Sequence, residues 1–367
     1  MRINMHYAIV YATVCGVFSA VRKRFTKVIY LYIIAMQRKN VMLNGKTFEK
    51  KTLIYILLFV AVTVIWGASF PLNKIVLEHK TPVFLLIAGR FAFGALTMFI
   101  LSLFKNKGVK IKKPEVAKGT LLGAVIFVAF ALQTFGLLYT SPDKNSLLTG
   151  IYVLLIPLFK MFGSKKAALK PIVDGVICII GMLIFFEVWN QNLAVNVGDI
   201  LTIAGAIFFA AQFLLLEKFS PSMDSINFTL FQMITISVLA MAASLAFEID
   251  SYRYIEIPYM LGGFIVLGVL ASGLAFLAQT FVQTKLKAQV VSLIAALEIV
   301  FAMVFSIALG YSKPTLYFWL GSSVIFVSIV SGCLSFGNKK PHGAQFIGKP
   351  HTTLCRGREL PADKKIA

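Results

Sequence analysis

Two ionisable residues, Arg90 and Glu298, stand inside long apolar runs of this sequence. A charged side chain at bilayer depth costs free energy unless it is paired or hydrated, so such a residue is a candidate for function. We predict that both face a polar central cavity. There Glu298 would take up a proton or contact an amine, and Arg90 would act as its counter-charge or as a clamp for a carboxylate. The alternative is a structural ion pair that locks two helices together.

Five more side chains are candidates for the same cavity: Gln133, Gln279, Trp66, Ser69 and Tyr152. The two glutamines lie at equivalent positions of an internal repeat, so they should have matching depths and can hydrogen-bond a solute or the opposite half. The tyrosine corresponds to Glu298 in that repeat. The tryptophan and the serine flank Gly67, where a small residue allows close backbone approach and an aromatic ring can wall a pocket. For the glutamines the alternative is hydrogen bonding that holds helices together, and for the tryptophan it is packing.

The elements that must position these residues are membrane-spanning helices. Of the 367 residues, 58% are hydrophobic and 14% are charged, whereas soluble domains are about one quarter charged. The mean hydropathy is +0.83. Apolar stretches recur along the chain, each long enough to cross a hydrocarbon core of roughly 30 Å as a helix. This composition excludes a water-soluble globule and predicts an all-α integral membrane protein.

The apolar runs predict ten transmembrane helices. They lie near 52–76, 82–104, 118–140, 145–163, 171–188, 199–218, 225–247, 258–282, 288–310 and 314–336. The short connections are typical of antiparallel neighbours in a bundle. The chain then divides into a basic N-terminal extension, a first repeat, a second repeat and a basic cytoplasmic tail, at 1–51, 52–188, 198–336 and 337–367. Met36 and Met42 closely precede the first span, so a start codon placed too far upstream would explain the extension.

The positive charge is concentrated at the ends of the chain and in alternate loops. A net charge of +21 would suit a nucleic-acid partner, but 10 of the 36 Lys and Arg residues lie in 1–51 and 7 lie after position 338. One set of alternate loops holds 13 more and the opposite set holds 5. This asymmetry indicates a multi-pass protein of the cytoplasmic membrane with both termini in the cytoplasm, and no nucleic-acid partner. Glu217, Lys218 and Asp224, at the ends of two spans, are interpreted as solvated.

Metal, disulfide and cofactor chemistry has no signature in the sequence. The four cysteines lack CxxC spacing and form no ligand pattern with the four histidines. None of the histidines lies within a predicted span, so a membrane-embedded enzyme would lack its catalytic pair. A phosphate-binding GxxxxGK(S/T) loop is also missing, which leaves an ion gradient, such as a proton gradient, or a solute gradient as the source of energy. We expect no cofactor, no metal and no catalytic residue.

An internal repeat divides the spans into five plus five. With a shift of 146 and no gap, the matches are Gln133-Thr134-Phe135 on Gln279-Thr280-Phe281, Ser146-Leu147 on Ser292-Leu293, and Tyr152 on Glu298. With a shift near 143, Ile65–Lys74 falls on Phe208–Glu217. Because five is odd, the second half must enter the membrane upside down relative to the first. Such an inverted repeat is typical of alternating access around a site near the midplane.

The segment Val64–Pro71 (VIWGASFP) resembles the first-helix motif of EamA-type proteins in the drug/metabolite transporter superfamily. Later segments are similar to other helices of that family: Ala131–Thr140 (ALQTFGLLYT), Asn145–Pro157 (NSLLTGIYVLLIP), Gly198-Asp199, Leu274–Gln283 (LAFLAQTFVQ) and Ser292–Phe301 (SLIAALEIVF). The resemblance covers about residues 52–336. It implies ten helices, two EamA domains, a cytoplasmic membrane location and export or uptake of small metabolites. Ile299 departs from the family, which usually has Pro after the glutamate, and the basic ends are not family features.

Together these features predict a secondary transporter that moves a small metabolite, such as an amino acid or a related amphipathic compound, by alternating access, with efflux favoured. A facilitative carrier, or a drug- or nucleotide-type carrier of the same fold, is the alternative. A different class is a non-transporting receptor or scaffold, which predicts neither a polar midplane nor repeat symmetry. The expected partners are a small-molecule substrate and the lipid bilayer, with proton coupling as one source of drive. The sequence carries no signal for an oligomeric state.

Overall fold

Helices make up most of the described chain, as the apolar runs predict. The computed structural model describes residues 42–43, 46–47, 50–106, 112–163, 169–190, 195–311 and 313–336. Most of the predicted N-terminal extension lies outside this part, apart from a two-residue antiparallel pair, β1 (Met42–Leu43) and β2 (Lys46–Thr47), and the start of the first helix. The predicted tail from 337 also lies outside the described residues.

The α-helices of the described residues follow one another with short connections. They are α1 (Lys50–Glu78), α2 (Val83–Asn106), α3 (Lys113–Leu138), α4 (Pro142–Thr149), α5 (Tyr152–Gly163), α6 (Lys170–Phe185), α7 (Val197–Phe219), α8 (Ser225–Phe247), α9 (Ile257–Val266), α10 (Ala275–Gln283), α11 (Ala288–Ala295), α12 (Leu297–Ala308) and α13 (Leu316–Phe336). Short 3-10 turns lie at Val188–Asn190, Ser220–Ser222 and Ile249–Tyr254. A π-helical segment, Leu267–Leu274, joins α9 to α10.

Three predicted spans are each built from two shorter helices. α4 and α5 form the fourth span, α9 and α10 the eighth, and α11 and α12 the ninth. Within the described residues, nine segments are long and apolar enough to cross a membrane. The fifth predicted span, 171–188, is a helix of only 16 residues, α6. At about 1.5 Å per residue it covers roughly 24 Å, which is short of a typical full crossing.

Polar side chains fix where two helices of the second repeat begin. At α7, Asn196 accepts a hydrogen bond from the Asp199 amide at 2.9 Å, and Asp199 accepts one from the Asn196 amide at 3.1 Å. This reciprocal arrangement satisfies two amides that have no partner inside the helix. At α8, the Asp224 carboxylate accepts from the amides of Ile226 and Asn227, both at 3.1 Å. Both spans therefore begin at defined residues and not at frayed ends.

Equivalent helices of the two repeats run antiparallel. Glu248, at the end of α8, accepts hydrogen bonds from the first amides of α2, while Ser102, near the end of α2, donates to Asn227 near the start of α8. The same holds for α6 and α13, since Asp174 at the start of α6 accepts from Ser331 near the end of α13. The predicted inversion of the two five-helix halves is thus present in the structure.

The helix ends define two faces of the protein. We call the face where α2 ends and α3 begins the basic face, and the face where α1 ends and α2 begins the opposite face.

Glycine brings α1 and α12 into direct backbone contact. A Cβ atom at Gly67 would lie 2.8 Å from both the Glu298 carbonyl oxygen and the Ala302 nitrogen. Small residues at such crossings are how membrane helices approach closely without a hydrophobic driving force. The contact places Glu298 next to the turn of α1 that carries Trp66 and Ser69. The sequence prediction that this glycine allows close approach agrees with the geometry.

Candidate functional site

All seven side chains selected from the sequence line one cavity. They are Trp66, Ser69, Arg90, Gln133, Tyr152, Gln279 and Glu298. The remaining lining residues of the described chain are Phe70, Phe130, Thr149, Phe209, Gln212, Phe213 and Phe276. The cavity has about 40 Å³ of space that water-sized groups can occupy. The spans that contribute are the first, second, third, fourth, sixth, eighth and ninth.

The carboxyl group of the cavity is bound by a phenol from the other repeat. Glu298, in the first turn of α12, is 5% exposed, and its Oε1 accepts a hydrogen bond from the Tyr152 hydroxyl at 2.8 Å. The ring of Tyr152 stacks on Phe213, with centroids 5.1 Å apart. The carboxyl group is therefore held in place from one side and faces the cavity on the other.

The guanidinium group of Arg90 is buried and is held by neutral partners. Its Nε donates to the Ser272 hydroxyl at 3.0 Å, and its Nη1 donates to Asn73 Oδ1 at 3.3 Å. The guanidinium carbon lies 4.9 Å from the centroid of Phe130. Within the described chain Arg90 forms no ion pair with any carboxylate. Since a guanidinium group has five N–H donors, donors remain for a ligand.

Arg90 and Glu298 do not form a direct ion pair with each other in the described residues. Both line the same cavity, but in the described residues neither belongs to an ion pair. Each group instead has a neutral hydrogen-bond partner on a neighbouring helix. The roles of Arg90 as a counter-charge of Glu298 or a clamp for a carboxylate, and the alternative of a structural lock between two helices, stay predictions.

The glutamines form hydrogen bonds within their own repeats. Gln133 Nε2 donates to the Thr149 hydroxyl at 3.0 Å. Gln279 and Gln212 exchange two hydrogen bonds, at 3.1 and 3.4 Å, and both are buried. Among the residues that the structure describes, neither glutamine side chain bonds the opposite half. The amide groups connect the third span to the fourth in one repeat, and the sixth to the eighth in the other.

A π-helical segment supplies partners that the sequence did not reveal. The carbonyl of Ala271, in the middle of Leu267–Leu274, accepts a hydrogen bond from the Trp66 indole at 3.0 Å. The hydroxyl of Ser272, one residue later, accepts from Arg90. A π-helical turn is wider than an α-helical one and occurs often at functional sites. Ser272 and Asn73 are thus site residues that sequence reasoning missed, because neither breaks the apolar pattern with a charge.

The cavity has nearly the symmetry of the repeat. Six pairs of equivalent residues line it, separated by 143 or 146 positions: Trp66 and Phe209, Ser69 and Gln212, Phe70 and Phe213, Phe130 and Phe276, Gln133 and Gln279, and Tyr152 and Glu298. Tyr152 and Glu298 also touch each other. Two equivalent residues can touch only close to the axis that relates the halves. The cavity therefore lies on the pseudo-two-fold axis, where an inverted repeat should place its site.

Aromatic rings form the walls between the polar groups. Phe130 contacts Phe209 edge-on with centroids 5.2 Å apart, and Trp66 contacts Phe276 in the same way at 5.6 Å. Such edge-to-face contacts stabilise a rigid apolar surface. The site thus combines an apolar wall with one cationic and one acidic group that do not neutralise each other.

Comparison with known proteins agrees with this architecture. The model of the EamA-like transporter family matches the chain twice, at residues 53–187 and 196–331. The chain belongs to the EamA-like transporter family. This confirms the resemblance inferred from the motifs and places the protein in the drug/metabolite transporter superfamily. The protein is accordingly a multi-pass membrane transporter with a small-molecule substrate and a lipid environment.

Relatives of the EamA-like family show how far the similarity reaches. An uncharacterized transporter of Archaeoglobus fulgidus (strain ATCC 49558 / DSM 4304 / JCM 9628 / NBRC 100126 / VC-16) is 26% identical over 273 residues, which cover 73% of this chain and 82% of that protein. The uncharacterized transporter YyaM of Bacillus subtilis (strain 168) is 28% identical over 202 residues, 52% of this chain and 65% of that protein. A solved crystal structure has a TM-score of 0.62 at 14% identity and covers 78% of this chain and 99% of its own. That last likeness concerns the fold alone.

Proposed function

We propose that this protein is a secondary transporter that exports a small zwitterionic, amphipathic metabolite of the amino-acid type across the cytoplasmic membrane. One observation carries the proposal: Arg90 and Glu298 line the same cavity, and neither is paired with an opposite charge in the described residues. An unpaired buried charge is costly unless a ligand or water compensates it. A solute that carries both an amine and a carboxylate supplies the two missing partners at once.

The aromatic walls account for the amphipathic part of the solute. Phe130, Phe209 and Phe276 meet edge-on or tilted around the cavity, with centroids 5.2 to 6.0 Å apart. Burial of an apolar side chain against these rings contributes roughly 25 cal/mol per Å² of area removed from water. Charge recognition at two points and an apolar wall together favour a zwitterion with an apolar side chain over a nucleotide, whose phosphates would face Glu298.

Alternating access is the mechanism that the symmetry supports. The two repeats are inverted, and the cavity lies on the axis between them, so an exchange of conformation between the halves would expose the same site to either face. The 13 to 5 excess of basic residues in one set of loops favours the basic face as the cytoplasmic one. Glu298 is the carboxyl group of the cavity lining, so it is our candidate for proton coupling.

Reconstituted vesicles test this proposal. Uptake or efflux of radiolabelled neutral amino acids would be compared with that of amines that lack a carboxylate and carboxylates that lack an amine. The protein, Glu298→Gln and Arg90→Ala would be assayed with and without a proton gradient, with the exposed Glu256→Gln as a matched control. We expect transport of zwitterions, its loss in both cavity variants and no change in the control. Unchanged zwitterion transport in both folded cavity variants would dismiss this assignment of the site.

The same assay separates the alternatives. Transport of an amine without a carboxylate, sensitive to Glu298→Gln but not to Arg90→Ala, would indicate a drug-type carrier. Zwitterion transport that ignores the proton gradient would indicate facilitated diffusion. Absence of any transport across the panel, with the solute bound at the cavity, would favour a receptor.

A further inference from the structure

Lys74 and Glu217 are repeat-equivalent residues of opposite charge, and each binds the end of a neighbouring helix. Lys74 lies near the end of α1 and Glu217 near the end of α7, 143 positions later. The sequence suggests that Glu217 is a solvated helix end, but its side chain is only 25% exposed. Each residue contacts the connection between the third and fourth spans of its own repeat. Because the repeats are inverted, these two contacts lie on opposite faces of the membrane.

On the opposite face, Lys74 caps the end of α3. Its Nζ donates to the carbonyls of Leu137 and Thr140, at 2.9 and 3.2 Å. The last carbonyls of a helix have no partner within the helix and carry its negative dipole end, so an ammonium group there is favourable. Lys74 thus ties the first span to the turn between the third and fourth spans.

On the basic face, Glu217 caps the start of α11. Its Oε2 accepts a hydrogen bond from the amide of Ala288, the first residue of that helix, at 2.8 Å. The same oxygen accepts from Lys160 near the end of α5, and Lys160 also reaches Gln289 Oε1 at 3.4 Å. A carboxylate is the group that suits the free amides and positive dipole end of a helix start. Glu217 thus ties the sixth span to the turn between the eighth and ninth spans.

Each contact has a proline one turn away. Pro71 stands three residues before Lys74 inside α1, and Pro157 stands three residues before Lys160 inside α5. A proline inside a helix removes one backbone hydrogen bond and weakens the helix at that turn. The segments that carry the two lysines can therefore bend without loss of the rest of the helix.

We propose that Lys74 and Glu217 are the gating residues of the two faces, Lys74 for the opposite face and Glu217 for the basic face. This inference rests on the alternating access proposed above. Both contacts are formed in this structure. The cavity opens to one face when the residue of that face releases its helix end, while the equivalent residue keeps the other face closed. Each residue thereby positions the spans around the solute without touching it.

Cysteine accessibility tests this assignment without any solute. In a variant whose native cysteines are replaced, the cavity residue Thr149 is changed to cysteine and labelled with a membrane-impermeant maleimide from either face in vesicles of known orientation. Lys74→Met should raise the rate of labelling from the opposite face about tenfold relative to the basic face, which corresponds to loss of a charge-assisted hydrogen bond. Glu217→Gln should shift the ratio about tenfold the other way. The double variant should return the ratio to that of the parent.

Matched controls separate gating from loss of charge. Lys80→Met and Glu256→Gln remove exposed charges outside the two contacts, and the labelling ratio should stay within about twofold of the parent. Lys74→Arg keeps the donors and should behave as the parent, so it also serves if Lys74→Met does not fold. An unchanged ratio in both gate variants, or an opening to the same face in both, would overturn the inference. Labelling needs no solute. If the labelling ratios shift as expected but the protein does not transport zwitterions, the result would count against the proposed solute alone.

Discussion

The two halves of the cavity are alike in shape and different in charge. Equivalent rings and amides line both, but the guanidinium group comes from the first repeat and the carboxyl group from the second. The residues 143 and 146 positions after Arg90 are apolar, Met233 and Ile236, and the counterpart of Glu298 is Tyr152. The repeated scaffold thus accounts for a cavity on the axis, whereas under the proposed function the residues that differ between the repeats select the solute. A solute that uses both charges must contact both halves at once.

The largest effect is expected where the charge difference is removed. Arg90→Met makes the second span resemble its counterpart, which carries Met233. The carboxylate of a zwitterion would then be buried without a partner, at a cost of about 3 kcal/mol, or roughly a hundredfold in kcat/KM for transport. Transport kinetics in reconstituted vesicles measure it, with the exposed Arg253→Met as control. If Arg90→Met kept kcat/KM within threefold of the parent, the charge difference between the halves would have no part in recognising the solute.

A second comparison concerns glycine in α1 and alanine in α7. Gly67 corresponds to Ala210, and a Cβ at Gly67 would press on the backbone of α12. Gly67→Ala should therefore destabilise the protein by about 1–3 kcal/mol, and Ala210→Gly by about 1 kcal/mol or less. Thermal unfolding in detergent measures both. Gly262→Ala, where a Cβ meets no atom within 4 Å, should leave stability unchanged or raised.

The contact between Tyr152 and Glu298 gives a smaller effect. Tyr152→Phe removes the hydroxyl that donates to the carboxyl group at 2.8 Å, which should lower the transport rate about tenfold, equivalent to about 1.4 kcal/mol. The pH profile of transport should also change shape, because the carboxyl group loses its donor. In Tyr55→Phe, whose ring packs on Phe281, rate and profile should match the parent. If Tyr152→Phe kept the parental pH profile of transport, the Tyr152 hydroxyl would have no role in transport.

The smallest effect is expected at the start of α8 on the basic face. Partial burial raises the pKa of the Asp224 carboxyl, but hydrogen bonds from the Asn227 amide and Lys105 outweigh it and hold the pKa below its ordinary value of 3.8. Folding lowers this pKa, so the carboxylate stabilises the fold above pH 3.8, and that contribution is lost as the pH falls through the folded value. The Asp224 side chain is 25% exposed and its partner Lys105 is 55% exposed, so solvent screens the pair and the loss should stay below about 1 kcal/mol.

Substitution isolates this contribution. Asp224→Asn should flatten the fall in melting temperature below pH 4, while Asp250→Asn, exposed on the opposite face, should retain it. Equal acid sensitivity of all three proteins would assign the effect to other carboxylates.

Sequence reasoning reached the spans and the seven lining residues because their signals are local. Runs of apolar residues report length, and a lone ionisable residue such as Arg90 stands out against them. The repeat also contains the signal for Gln212, since the shift that aligns the first and sixth spans places Gln212 on Ser69. The partners of Arg90 were not predictable, because Ser272 becomes an acceptor only through a π-helical segment that has no periodic signature. Likewise, the short fifth span and the capping contact of Glu217 depend on tertiary packing.

The contact between Tyr152 and Glu298 has one more consequence. If the two halves trade conformations, every contact between two residues is replaced by the contact between their counterparts. Tyr152 and Glu298 are each other's counterparts, so the exchange replaces their contact with the same contact. Under the proposed alternating access, the same hydroxyl would meet the same carboxyl group whichever face the cavity opens to. A proton on that carboxyl group would then keep its hydrogen-bond partner while the surrounding contacts are exchanged.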